Sequence, residues 1–267
     1  GTINVKLWFA NSANGLGNNL SYTTTLANST TRGFTFVGNP YASTINWEKY
    51  NRNSTVSNSS IYGSGGLGST IYMWNATTKQ FEAYMQKAGA VSAADTTTNL
   101  DPGTAVGSAT NMIASGEGFF VRASSTTQSL SFRETAKTTA QPSITKMNDL
   151  MGKPKITTAA PEPLVRLQLI KDTKNNDEIV VRLNDKASAA YTSLEDAEDM
   201  GGMSPEESMS VLSSDSVKLC ISTVPFPRKT AQVMPLFVSA TASGTYQLKL
   251  SELRDLPAIY SIWLKDN

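Results

Sequence analysis

Leu164-Val165-Arg166-Leu167-Gln168-Leu169-Ile170, a polar run from Lys171 to Asp177, then Glu178-Ile179-Val180-Val181-Arg182-Leu183: this stretch decides the fold class. Two segments rich in branched apolar residues flank a short run of turn-forming polar ones, which predicts a β-hairpin. Further strands are expected downstream at Val217–Ser222, Val233–Ser239, Thr245–Leu250 and Ile259–Leu264, with Ser243-Gly244 as a turn. One helix is expected to interrupt them. Ser204-Pro205-Glu206-Glu207 sets a cap, a proline at the first helical position and a glutamate three after the cap.

Upstream the pattern repeats. Ile3–Phe9, Leu20–Leu26, Gly33–Val37, Ile71–Trp74, Phe81–Met85, Gly118–Ala123 and Ser129–Arg133 all read as short strands. Asn75 to Gln80 reads as the loop of a second hairpin. Residues 51–70 and 88–111 are rich in Asn, Ser, Gly, Thr and Ala and read as long surface loops. Between the halves, 136–163 reads as a linker rich in Pro, Thr and Ala. It holds one short helix starting at Ser143, with Ile144, Met147 and Met151 on one face. The expectation is all-β: two β-sandwich, jelly-roll-like domains at 1–135 and 164–267, joined by the 136–163 linker.

Composition narrows the chemistry. Of 267 residues only 17% are charged and the net charge is +1. Phosphate binding needs clustered Lys and Arg, and no such cluster occurs, so nucleic acid is not an expected partner. No apolar run is long enough to span a bilayer. The chain has no His, which removes Ser-His-Asp and Cys-His catalysis and His-ligated zinc. The single cysteine, Cys220, cannot form an intrachain disulfide and has no base to activate it.

The segment Gly33-Phe34-Thr35-Phe36-Val37-Gly38-Asn39-Pro40-Tyr41-Ala42-Ser43-Thr44-Ile45-Asn46-Trp47 carries a resemblance to a known group. It is similar to the Gly-Asn-Pro-Tyr segment of surface and adhesin-like proteins of Bacteroidetes exported by the type IX secretion system. Ile71-Tyr72-Met73-Trp74-Asn75 and Ile113-Ala114-Ser115-Gly116-Glu117-Gly118-Phe119-Phe120-Val121 resemble strands that follow in those proteins, with Glu117 where Gln is usual. Looser matches run through Leu167–Leu183, Asp196, Asp199, Gly244-Thr245-Tyr246 and Ile262–Asp266. The resemblance implies export to the outer cell surface, passage through the type IX machinery, and a β-domain that precedes a C-terminal sorting domain. It also suggests O-glycosylation at Asp-[Ser/Thr] sites, for which Thr96 and Ser216 are candidates.

Read physically, Gly38-Asn39-Pro40-Tyr41 is a turn ending a strand: Gly38 tolerates positive φ, Pro40 fixes its own, and the Asn39 side chain can bond nearby backbone. Gly116-Glu117-Gly118 reads as a turn or bulge before an aromatic strand, not a phosphate loop. Trp47, Trp74 and Tyr72, with Trp8, Tyr41, Tyr50 and Tyr84, are candidates for a sugar-stacking surface, and core packing is the competing reading. Glu48, Glu82 and Glu117 are the carboxylates that a glycoside hydrolase would need to pair, and a solvated strand face is the alternative. Asp172, Asp177, Asp185, Asp196 and Asp199 can offer oxygen ligands, but no spaced calcium loop appears, so no cofactor and no metal are expected. The functional expectation is a non-catalytic secreted surface protein acting in adhesion, with a surface glycan or protein as partner. Two alternatives stand beside it: a carbohydrate-binding region of a polysaccharide-degrading protein, and a structural stalk. A buried pair of close carboxylates of raised pKa would argue for an enzyme instead.

Overall fold

A computed structural model describes residues 22–25, 33–51, 60–63, 67–86, 103–123, 128–138, 163–202, 207–228, 231–240 and 243–265. Among them the chain is nearly all β, with no α-helix. The first half supplies β1 (Tyr22–Thr25), β2 (Phe34–Gly38), β3 (Ile45–Asn46), β4 (Tyr50–Asn51), β5 (Ile61–Gly63), β6 (Thr70–Asn75), β7 (Gln80–Met85), β8 (Thr104–Ala105), β9 (Met112–Ile113), β10 (Gly118–Arg122) and β11 (Ser129–Phe132). The second supplies β12 (Leu164–Ile170), β13 (Asn176–Leu183), β14 (Ala197–Glu198), β15 (Glu207–Leu212), β16 (Lys218–Val224), β17 (Leu236–Ala240) and β18 (Gln247–Arg254). Two single turns of 3-10 helix, Trp47–Lys49 and Glu134–Ala136, complete the set.

The strands form a four-stranded sheet (β1-β11-β5-β4), a five-stranded sheet (β2-β10-β6-β7-β8), a seven-stranded sheet (β17-β15-β16-β13-β12-β18, with β14 also on β16) and the small pair β3-β9. Pairing is antiparallel except β4 with β5 and β13 with β16. The 164–183 hairpin forms in full register, from Leu164 opposite Arg182 to Ile170 opposite Asn176. Asp172 closes its turn by accepting from the backbone N–H groups of Lys174 and Asn175.

Strand alternation builds three cores. In β6 and β10, Ile71, Met73, Phe119 and Val121 point one way and meet Leu130, Phe132 and Ile61 of the four-stranded sheet. Tyr72, with Phe120 alongside, points the other way and meets Leu164, Val180 and Ile221 of the seven-stranded sheet. The five-stranded sheet is therefore a middle layer with apolar residues on both faces, which a period of two allows. The third core lies on the far face of the seven-stranded sheet, around Val165, Ile179, Val181, Met209 and Val211.

The two halves also share polar contacts. Phe81 N–H donates to Gly201 O (3.3 Å), Ser69 N–H to Ser193 O (3.2 Å), and Gln80 Nε2 to Glu207 O (3.0 Å). Arg166 Nη1 donates to Ala105 O (2.9 Å), and Arg122 pairs with Glu198 at 3.0 Å.

Several expectations change. Glu207 opens strand β15 where a helix was expected after Ser204. The cap signal there is local, whereas Met209 and Val211 are buried and β15 pairs with both β16 and β17; tertiary pairing outweighs the cap. Ile259–Leu264 is not a strand: a turn at Ala258-Ile259 leads into an irregular segment, with Trp263 84% exposed. The expected loop 51–70 contains β5 and the first residue of β6, anchored by fully buried Ile61. The stretch 88–111 contains β8 and the buried Val106 and Ala109. The strand expected at Ile3–Phe9 and the helix expected from Ser143 lie outside the described residues.

Candidate functional site

The Gly38-Asn39-Pro40-Tyr41 segment folds into a clasp. The Asn39 Nδ2 group donates to Ser43 O (2.8 Å), Ala114 O (2.9 Å) and Ile113 O (3.1 Å), and its Oδ1 accepts from Tyr41 N–H (3.0 Å). The backbone N–H of Asn39 donates to Glu117 O at 2.9 Å. One buried amide thus ties the end of β2 to the loop between β9 and β10. Asn46 works similarly one turn on: its Oδ1 accepts from Glu48 N–H and caps the 3-10 turn that presents Trp47.

Two aromatic candidates are buried. Trp47 is fully enclosed, stacked on Tyr50 (4.6 Å between centroids, 13° between planes), with Nε1 donating to Ser69 O at 2.9 Å. Tyr72 is enclosed in the core shared by the two halves, edge-on to Phe34 at 5.2 Å. Neither ring offers a face for stacking on a sugar, because both are consumed by core packing. Tyr41, Tyr50 and Tyr84 are buried as well, and Trp8 lies outside the described residues.

Trp74 differs. It is 37% exposed and stands on the same face as Tyr72, two residues further along β6. It packs edge-on against Phe81 (5.0 Å), Phe81 against Phe120 (5.5 Å), and Phe120 against Phe36 (5.0 Å), which is 56% exposed. The register explains the row: Phe36 sits opposite Phe120, Phe120 opposite Tyr72, and Trp74 opposite Phe81. Four strands of the middle sheet thus carry one aromatic row beside the buried part of that face. The rings meet at 55–88°, so they present edges and faces in turn, not one flat platform. Gly118 belongs to this construction, since a Cβ there would lie 2.0 Å from the Phe36 ring. Phe36, Phe81 and Phe120 were not among the sequence candidates, although strand alternation already sets Phe36 on the same face as Phe34, and Phe120 on the face opposite Phe119.

The three glutamates are buried rather than solvated, and they do not pair. Glu48 accepts from the Tyr84 hydroxyl and from Gly103 N–H, and burial pushes the Tyr84 phenol well up. Glu82 holds Asn75 Nδ2 (2.7 Å), Ser108 N–H (2.8 Å) and Ser108 Oγ (2.7 Å). Glu117 accepts from Ala114 N–H at 2.7 Å, and desolvation raises it to about 7.

The aspartates divide among separate settings. Asp172 caps its turn, Asp185 pairs with Arg228 at 2.8 Å, and Asp196 accepts from Thr223 N–H and Thr192 N–H. Asp177 and Asp199 are neighbours. Desolvation, then the Asp199 charge, raises Asp177 to about 7. Both are occupied structurally: Asp177 accepts from the N–H groups of Met209 and Glu178, and Asp199 from Gly201 N–H and Ser210 Oγ. The crevice they line with Gln80, Phe81 and Glu207 encloses about 10 Å³, room for a single water and far short of a sugar ring.

These raised carboxylates predict an unusual pH profile. Asp177 and Glu117 sit near 7 and Asp196 near 6, all above their unfolded values. The folded state therefore holds protons that the unfolded state has released, and their contribution is full below about pH 4 and is lost as pH rises through 6–7. Asp172 and Asp215, whose pKa values are lowered by hydrogen bonds, lose their contribution only at lower pH. The melting temperature is expected to be higher at pH 5 than at pH 8, by about 5 °C. Glu117→Gln, which keeps an acceptor for Ala114, is expected to flatten that slope; scanning calorimetry across the range measures both.

Cys220 is buried beside Ala197 and Glu198, its thiol pushed well up by desolvation. Ser216 is exposed in the β15–β16 turn with φ of 65°, and Thr96 lies outside the described residues. No described helix is long and apolar enough to cross a membrane. No curated protein and no solved structure matches the chain. The model of the family described as Domain of unknown function (DUF8693) matches residues 1–267, and the chain belongs to that family.

Proposed function

We propose that this chain is a non-catalytic, exported surface protein that acts in adhesion, and that the row Phe36–Phe120–Phe81–Trp74 is its contact surface. The observation that carries the reading is the row itself: rings from four neighbouring strands, half-buried at Phe120 and Phe81 and exposed at Phe36 and Trp74. Exposed aromatic patches on a rigid sheet favour binding, because ring area is offered at low entropic cost. The resemblance of the 33–47 and 113–121 segments supports export through the type IX machinery to the outer cell surface, and the strand-rich sequences on either side of 136–163 support two sandwich-like domains with a linker between them. The commitment of every described candidate carboxylate to structural bonds supports a binding role over a hydrolytic one, and no cofactor or metal enters the proposal.

Beads coated with the chain are expected to be retained on cell or polysaccharide surfaces. A Phe36→Ser/Trp74→Ser variant should lose that retention several-fold; equal retention of both beads sinks the proposal. The alternative reading, a carbohydrate-binding accessory region, is favoured by the solvent-facing indole of Trp74. A glycan array separates the two: binding lost about 10-fold on Trp74→Ala would assign a sugar ligand, since a stacked ring is worth roughly 1–2 kcal/mol. Silence with retained bead adhesion would assign a protein partner.

A further inference from the structure

We infer that strand β18 is a self-complementary edge that pairs with β18 of a second copy of this chain. β18 is the end strand of the seven-stranded sheet, and its outer edge has no strand partner among the described residues. It is eight residues long and carries no proline, so its outward backbone groups form a template for another strand. Opposite β12, Leu248, Leu250 and Leu253 match Leu169, Leu167 and Val165, the third-core face. All three leucines are exposed, by 36%, 49% and 52%, so the core face runs out to the edge without cover.

The sequence of this edge fits its own inverse. A register shift between Arg166 and Leu167 leaves Ser251 as an extra residue, so Leu250 and Ser251 count as one step. An antiparallel two-fold axis through Leu250 then sets Leu250 opposite Leu250 of the second copy. It also sets Leu248 opposite Leu253 on the apolar face, and Lys249 opposite Glu252 on the other. The Leu248–Leu253 and Lys249–Glu252 pairs each occur twice by symmetry, and the Leu250 pair on the axis occurs once. Lysine on an edge strand ordinarily repels a second copy. Here Glu252 stands at the symmetric position, so the copies attract. Glu252 also bonds Arg166 Nε at 3.0 Å and lies 3.6 Å from Arg254 Nη1; a carboxylate has acceptor sites left for Lys249. Opposite charges across a strand pair favour this register and disfavour its slips.

Sedimentation velocity of the full chain over a hundredfold concentration range tests this. A concentration-dependent dimer is expected, and a monomer throughout overturns the inference. Leu250→Lys, at an exposed position, is expected to weaken dimerisation at least 10-fold, and so is Lys249→Glu; a dimer unmoved by both variants overturns the assignment to β18. The decisive arm mixes two single variants. Lys249→Glu and Glu252→Lys should each dimerise poorly alone and recover the wild-type dissociation constant within about threefold when combined, because only the mixed pair restores opposite charges at both positions. Absence of recovery with both variants folded by circular dichroism refutes the register.

Discussion

Replacing Trp47 by alanine is expected to cost about 3–5 kcal/mol of unfolding free energy. The ring is fully enclosed, stacked on Tyr50 and edge-on to Phe119 at 5.8 Å. Its removal would leave a cavity between the four-stranded and middle sheets, where packed strands on both sides restrict collapse. The indole N–H adds a second term through its bond to Ser69 O. Trp47→Phe keeps most of the ring area and removes one of two donors to that carbonyl, which still accepts from Gln86 N–H at 3.2 Å, and is expected to cost about 1–2 kcal/mol. Urea unfolding followed by the fluorescence of the other tryptophans measures both. A loss below 1 kcal/mol for Trp47→Ala would mean that the ring is not the keystone of that core.

The second large effect is at Asn39. Asn39→Ala removes the amide donations to Ser43, Ile113 and Ala114 and the acceptor of Tyr41 N–H, with Ala114 O keeping a second donor, Glu117 N–H at 3.1 Å, and is expected to destabilise by about 2–4 kcal/mol. Asn39→Asp keeps the shape and should do more damage at pH 7, because a carboxylate would face the oxygens of Ser43, Ile113 and Ala114, all acceptors. The two variants carry different pH signatures. The aspartate variant should recover part of its loss below pH 5, where protonation supplies one donor, while the alanine variant should not. Chemical denaturation at pH 7 and pH 4.5 separates them. Equal behaviour of the two at both pH values would mean that the amide protons do not hold the clasp.

Most strands were legible because their signal is local. Leu164–Ile170 and Glu178–Leu183 flank a turn of polar residues, and Ile71–Trp74 and Phe81–Met85 do the same around Asn75–Gln80; in each case the turn chemistry and the strand period agree. The turn reading of Gly38-Asn39-Pro40-Tyr41 was legible for the same reason, but its two distant acceptors were not, since 74 or 75 residues separate Asn39 from Ile113 and Ala114. The helix expected from Ser204 failed because a capping pattern is blind to β16 and β17, which claim Glu207–Leu212 from both sides. At the candidate site Trp74 was legible by residue type, whereas Trp47 and Tyr72 were indistinguishable from it without knowing which sheet face is covered. The burial of Glu48, Glu82 and Glu117 was equally hidden. Strand position marks a carboxylate as solvated unless a hydroxyl or amide arrives from elsewhere, as Tyr84, Ser108 and Asn75 do.

The middle sheet has a consequence for how this family can drift. Along β6 and β10 successive residues answer to different cores, Ile71 and Phe119 to one, Tyr72 to the other. A substitution there has no idle side on which to be tolerated. Phe36 and Trp74 are the exceptions, large rings on that sheet whose solvent exposure frees them from most of the demand either core makes. Packing alone would let such positions decay to small polar residues over time. Aromatic character kept at Phe36 and Trp74 in distant members would therefore record selection by something outside the molecule.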